Sequence, residues 1–122
     1  MEMSQTRCQT LVVLTNLPDE ASAYAMASSL VNERLAACIN ILAPCRSVYR
    51  WQGEIESTQE VPLLIKTTAE RYGALEAAIR ARHPYELPEI VAVPIALGLP
   101  EYLAWVAAET LVEPADGNPS TC

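Results

Sequence analysis

The spacing of apolar residues changes repeatedly along this chain, and the order of those changes limits its topology more than any single motif. Cys8 to Thr15 (CQTLVVLT) is almost continuously apolar, the mark of a strand covered on both faces. Pro18-Asp19-Glu20 follows as a helix start, with carboxylates suited to the positive end of the helix dipole. Ala23, Met26, Ala27, Leu30 and Val31 then recur at i, i+3, i+4, i+7 and i+8, predicting a helix over 19–35 with one buried stripe. A short strand over 38–42, a break at Ala43-Pro44 and a strand over 46–52 come next. A turn at Gly53-Glu54 leads into a long strand over 55–68. Pro62 cannot donate to a ladder, so a bulge or a change of partner is expected there. A helix over 70–82 turns Tyr72, Leu75 and Ile79 inward. The last strand, 90–97, contains Pro94 and so belongs at an edge or an irregular position. A third helix over 101–112 carries Leu103, Val106, Ala107 and Leu111 on one side.

The order βαββαβ plus a helix specifies an α+β fold: a ferredoxin-like antiparallel sheet with helices on one face and an extra C-terminal helix. The 122 residues suffice for one domain, placed at 8–112 between a frayed tail (1–7) and a flexible, breaker-rich tail (113–122). One sheet face would then be nearly bare. Apolar residues make up 51% of the chain, more than one sheet-and-helix layer needs, so self-association through that face is expected. The long hairpin over 46–68 is the part best placed to reach a neighbouring subunit.

Charge narrows the partners. Eight Lys and Arg against 15 Asp and Glu give a net charge of −7, and Lys66 is the only lysine. Nucleic-acid and anionic-membrane binding need clustered positive charge and are disfavoured. No apolar run approaches the ~20 residues of a bilayer span, and Met1-Glu2-Met3-Ser4-Gln5 lacks the character of a signal peptide. The expected compartment is the cytoplasm, and the four cysteines, at spacings that fit no paired metal motif, are expected as free thiols. Nucleophile-elbow, phosphate-loop and dinucleotide-binding signatures are missing, and one histidine, His83, leaves little scope for a triad. A non-enzymatic protein is the expectation.

Two stretches concentrate polar and aromatic side chains. Arg80 to Ile90 (RARHPYELPEI) combines an imidazole, a phenol and two carboxylates, stiffened by two prolines that hold the preceding residues, His83 and Leu87, extended. Such a loop suits a metal or a small polar ligand, or it simply fixes a helix-to-strand crossover with Tyr85 packed and the charges in water. In Ser47 to Ile55 (SVYRWQGEI), Tyr49 and Trp51 share one strand face. Filling a subunit interface is the simplest use of that pair, and Tyr102 and Trp105 on the last helix are read the same way.

At these stretches the chain resembles the CutA family of divalent-cation-tolerance proteins. The resemblance rests on TNLPDE (15–20), LAACINI (35–41), SVYRWQGEI (47–55), Lys66-Thr67-Thr68, HPYELPEI (83–90) and YLAW (102–105). It implies a ferredoxin-like fold in a tight homotrimer of PII-like architecture, and a cytoplasmic role in tolerance of copper and other divalent cations. Copper binding in that family is attributed to a thiol ending the first strand and to paired histidines before the Pro-Tyr. The matching positions here are Thr15, Arg82 and His83, so His83 is the metal candidate, and loss of two soft ligands weakens the site. Trp51, Lys66, Tyr85 and Glu86 are expected to line a ligand cleft between subunits, and Glu86 or Glu89 to substitute as cation ligands. The alternatives are a PII-like sensor of a small metabolite or nucleotide, needing convergence of Arg46, Arg50, Lys66, Arg80 and Arg82, or a trimeric scaffold for a partner protein.

Overall fold

The structure, a computed structural model, describes residues 8–112; the two tails expected at 1–7 and 113–122 lie outside the described residues. Within them the order is β1 (Thr10–Leu17), α1 (Glu20–Asn32), β2 (Cys38–Ile41), β3 (Cys45–Trp51), β4 (Glu54–Thr68), α2 (Ala69–Arg82), β5 (Val91–Pro94) and α3 (Pro100–Glu109). The sheet order is β2-β4-β1-β5, with β3 pairing β4 beyond it, and every pairing is antiparallel. Two βα halves interleaved in this order form the ferredoxin-like sheet expected from the periodicity, with α3 as the added helix.

Local chemistry accounts for the element ends. Asp19 caps α1 by accepting from the Ser22 amide at 2.7 Å, and this bond holds its carboxyl below the ordinary value. The helix stops at Asn32, three residues short of the expected end, because Arg34 adopts φ +60° and Leu35 N–H returns to Leu30 O at 3.0 Å, a left-handed C-terminal wrap. The β3–β4 turn sits one residue earlier than expected. Gln52 and Gly53 both have positive φ (50° and 84°), the requirement of a turn whose twist matches a two-stranded ribbon.

Pro62 marks a change of partner. Glu54–Glu60 pairs only β3, whereas Val61–Thr68 pairs β1, in continuous register from Leu17↔Val61 to Thr10↔Thr68. One strand therefore serves a free-standing ribbon with its first half and the centre of the sheet with its second. β5 lies at the sheet edge, as Pro94 required, but it is half the expected length.

The core lies between the sheet and the α1/α2 layer. Val13, Leu17, Leu63 and Ile65 meet Ala23, Met26, Leu30, Leu75 and Ile79 there. Val31, expected in the helical stripe, is instead exposed. The opposite face carries α3, packed on β4 and β1 through buried Val106. That helix is too short to cover β5, where Val91 and Val93 remain 48% and 54% exposed.

Cys38 and Cys45 are free thiols. Cys8 is disulfide-bonded, which corrects the expectation of free thiols: bridging depends on Cα separation in the fold, which sequence spacing does not reveal.

In this core Thr15 is fully buried and its hydroxyl has no partner among the described residues. A buried, unsatisfied hydroxyl costs about 1–3 kcal/mol, and an apolar group of the same shape avoids that cost. Thr15→Val is expected to raise the unfolding free energy by about 1–2 kcal/mol in a urea titration. A loss of stability would mean that the hydroxyl has an unseen partner.

Candidate functional site

A cleft of about 790 Å³ lies where the β3–β4 ribbon leaves the sheet and the crossover from α2 to β5 passes beneath it. Strand register fixes the ribbon wall. Tyr49 pairs with Glu56, Ser47 with Thr58 and Cys45 with Glu60, so Tyr49, Trp51, Glu56, Thr58 and Glu60 share one face. The Tyr49 hydroxyl lies 3.4 Å from Glu56 Oε1 and 3.5 Å from Thr58 Oγ1.

His83 anchors the other wall. It is the residue after α2 and only 9% exposed. The last β1–β5 pair is Leu14↔Val91, two residues short of Asn16, whose carbonyl points to the same side. His83 Nε2 takes up that carbonyl at 2.6 Å, filling the place of a strand partner. The Tyr85 amide contacts Nδ1 at 3.2 Å. An amide N–H can only donate, so Nδ1 accepts and the ring proton sits on Nε2, donated to the Asn16 carbonyl. The rings of His83 and Tyr85 then pack with centroids 4.7 Å apart.

This arrangement aims Tyr85 back at the ribbon. Its hydroxyl is turned toward Glu60, which is 8% exposed at the partner-change point of β4. Burial first, then the Glu60 carboxylate, pushes the phenol up to about 12, so it remains a neutral donor at any physiological pH. On the sheet side, Asn16 Nδ2 donates to Glu89 Oε1 at 3.0 Å. The carboxylates of Glu56 and Glu89 are thus held by neutral donors, and Glu60 has the neutral Tyr85 phenol beside it. The ion pairs Arg82–Glu33 (2.7 Å) and Arg34–Glu109 (3.7 Å) lie outside the cleft. Among the described residues, Arg50 is the one cation lining the cleft, against Glu56, Glu60, Glu86 and Glu89.

Of the four expected cleft residues, Trp51, Tyr85 and Glu86 come together here and Lys66 does not. Lys66 is opposite Cys38 and bonds the Asn40 side chain. It is four residues along β4 from Pro62, or about 13 Å at strand rise. His83 stands behind the cleft wall with both ring nitrogens taken by main-chain groups, so it offers no free lone pair. Thr15 has its hydroxyl in the core, and Arg82 is held by both oxygens of Glu33 at 2.9 and 2.7 Å. Among the described residues no three His, Cys, Asp or Glu side chains converge as a metal chelate. The residues at the expected copper positions therefore do not fit a chelated soft metal.

The basic residues needed for an anion sensor are also dispersed. Arg46 bonds Ser57 Oγ at 3.1 Å, Lys66 and Arg82 are engaged as described, and Arg50 alone borders the cleft. Of the four expected interface aromatics, Tyr49 and Trp51 belong to the cleft wall. Tyr102 and Trp105 form a tilted pair on α3 with centroids 5.6 Å apart, both partly exposed.

Sequence reasoning missed Glu56 and Glu60. The signal was the alternation Glu54, Glu56, Thr58, Glu60 ahead of the apolar half of β4, which places three carboxylates on one ribbon face once a strand is assumed.

Comparison with known proteins gives one result throughout. The family model described as CutA1 divalent ion tolerance protein matches residues 11–109. The divalent-cation tolerance protein CutA of Thermus thermophilus is 50% identical over 99 residues, 81% of this chain and 96% of that protein. The solved structure of CutA from Xylella fastidiosa superposes with a TM-score of 0.81 at 47% identity, covering 84% of this chain and 98% of that one. CutA1 from Oryza sativa gives a TM-score of 0.83 at 36% identity, covering 87% and 97%.

Proposed function

The chain belongs to the family of CutA1 divalent ion tolerance proteins, and from that membership we propose that it is a non-enzymatic, homotrimeric binding protein that holds a divalent cation loosely in the acidic cleft. The observation that carries this reading is the charge of the cleft: four carboxylates, none in an ion pair among the described residues, face a single arginine. Glu60 is buried, and Glu56, Glu86 and Glu89 stand exposed around it, so their summed negative charge attracts a cation through solvent while Glu60 gains from a cationic partner. The absence of a three-ligand chelate among the described residues sets the mode. The cation is held by spread carboxylates and its own water, which gives weak, exchangeable binding suited to tolerance rather than to storage.

The trimer is supported by the apolar surface that one chain leaves open: Val91 and Val93 on β5, with Tyr102 and Trp105 on α3.

Calorimetric titration of zinc and copper ions into the full chain tests the cation reading. Glu86→Gln combined with Glu89→Gln is expected to weaken binding by about tenfold, the effect of removing two charges at partly exposed positions. Unchanged heats in that variant would remove the cleft from the account of cation binding.

A further inference from the structure

The lining of the cleft is richer than a site for an inorganic ion requires. Besides carboxylates it presents three aromatic rings, Tyr49 and Trp51 from the ribbon and Tyr85 from the crossover. Its volume of about 790 Å³ falls in the ~300–1,000 Å³ range of small-molecule sites, far larger than a hydrated metal ion fills. A bare divalent ion needs ligands converging on one point, and the described residues offer no such point. Distributed carboxylates between aromatic faces match a different cation, one whose charges are separated along an apolar chain. Its ammonium groups pair with separate carboxylates, and its methylenes and charges lie over the rings.

We propose that this cleft binds a linear aliphatic polyamine, with Glu60 and Glu86 as anchors from the two walls and Trp51 as the stacking face. The two anchors differ in character. Glu60 is buried in the cleft lining at the point where β4 changes partner, so its backbone is fixed on both sides and it supplies a preorganised acceptor. Glu86 is exposed, so it can follow the far end of the ligand. Tyr85 remains a neutral phenol whose ring is a cation-binding face. Arg50, at the cleft margin, disfavours a second cation and limits occupancy. The inference deepens the reading of the cleft as a cation site and rests on it.

Titration of spermidine into the full chain, with magnesium chloride at matched ionic strength as the control, provides the test. Spermidine is expected to bind at least about tenfold more tightly than magnesium, since aromatic contact adds to charge. Trp51→Leu is expected to weaken spermidine by about tenfold and leave magnesium unchanged. Glu86→Gln, at an exposed position that does not threaten folding, is expected to weaken spermidine by at least about fivefold. Equal affinity for spermidine and magnesium, or a Trp51→Leu chain that is folded by circular dichroism and binds spermidine as before, overturns the proposal. Zinc or copper heats without spermidine heats also overturn it while leaving the divalent-cation reading intact. Spermidine heats without metal heats support it and end that reading instead.

Discussion

His83→Ala is expected to destabilise the chain by about 2–4 kcal/mol, while any zinc or copper binding persists. The substitution removes two hydrogen bonds at once, the 2.6 Å bond to the Asn16 carbonyl and the 3.2 Å bond from the Tyr85 amide. Each main-chain group left without a partner costs up to about 1–3 kcal/mol, at the lower end here because both bonds are part-buried, and loss of ring contact with Tyr85 adds to this. The damage should be local in origin. Without its clip to β1 the crossover is held less firmly beneath the ribbon, while the carboxylates the cation needs, Glu56, Glu60, Glu86 and Glu89, are all still present. Denaturant titration at fixed protein concentration measures the loss, and calorimetry on the folded variant measures the metal. A variant as stable as the original but unable to bind copper would make His83 a ligand after all, and the main-chain bonds incidental.

Light scattering of the full chain is expected to return three copies of the 13.3 kDa chain, and Val93→Asp is expected to shift that mass to one. Val93 pairs with Val12 near the centre of β5 and is 54% exposed in a single chain. On a sheet edge that α3 fails to cover, a carboxylate there is tolerated by the monomer and expelled by a dry interface. Burying an unpaired charge costs several kcal/mol per ion, and in a homotrimer the cost is incurred in each copy. A single chain weight for the original protein would remove the trimer from the proposed function. A Val93→Asp chain that stays trimeric would place the interface elsewhere.

Much of the architecture was legible in the sequence because it is written in spacing. The switch from continuous apolar residues to the Ala23–Leu30 stripe, and Pro62 within a long strand, are local signals with direct structural meaning. The ends of elements were less legible. α1 ends early because Arg34 takes a left-handed conformation, which composition gives no reason to assign to an arginine. Val31 fits the helical stripe yet faces solvent, since a stripe wider than the sheet beneath it cannot all be covered.

By itself, the sequence determined the ferredoxin-like order of strands and helices, the excess of apolar surface, the acidic balance and the family. The first three follow from residue type and spacing, and the family from its resemblance through segments such as TNLPDE (15–20) and HPYELPEI (83–90). The tertiary structure decided which charges meet. It drew Glu60 and Tyr85 together from positions 25 residues apart, left Lys66 on another part of the sheet, and turned His83 from a candidate ligand into a main-chain clip. Those outcomes depend on strand register and on where β5 stops, and no local pattern encodes either.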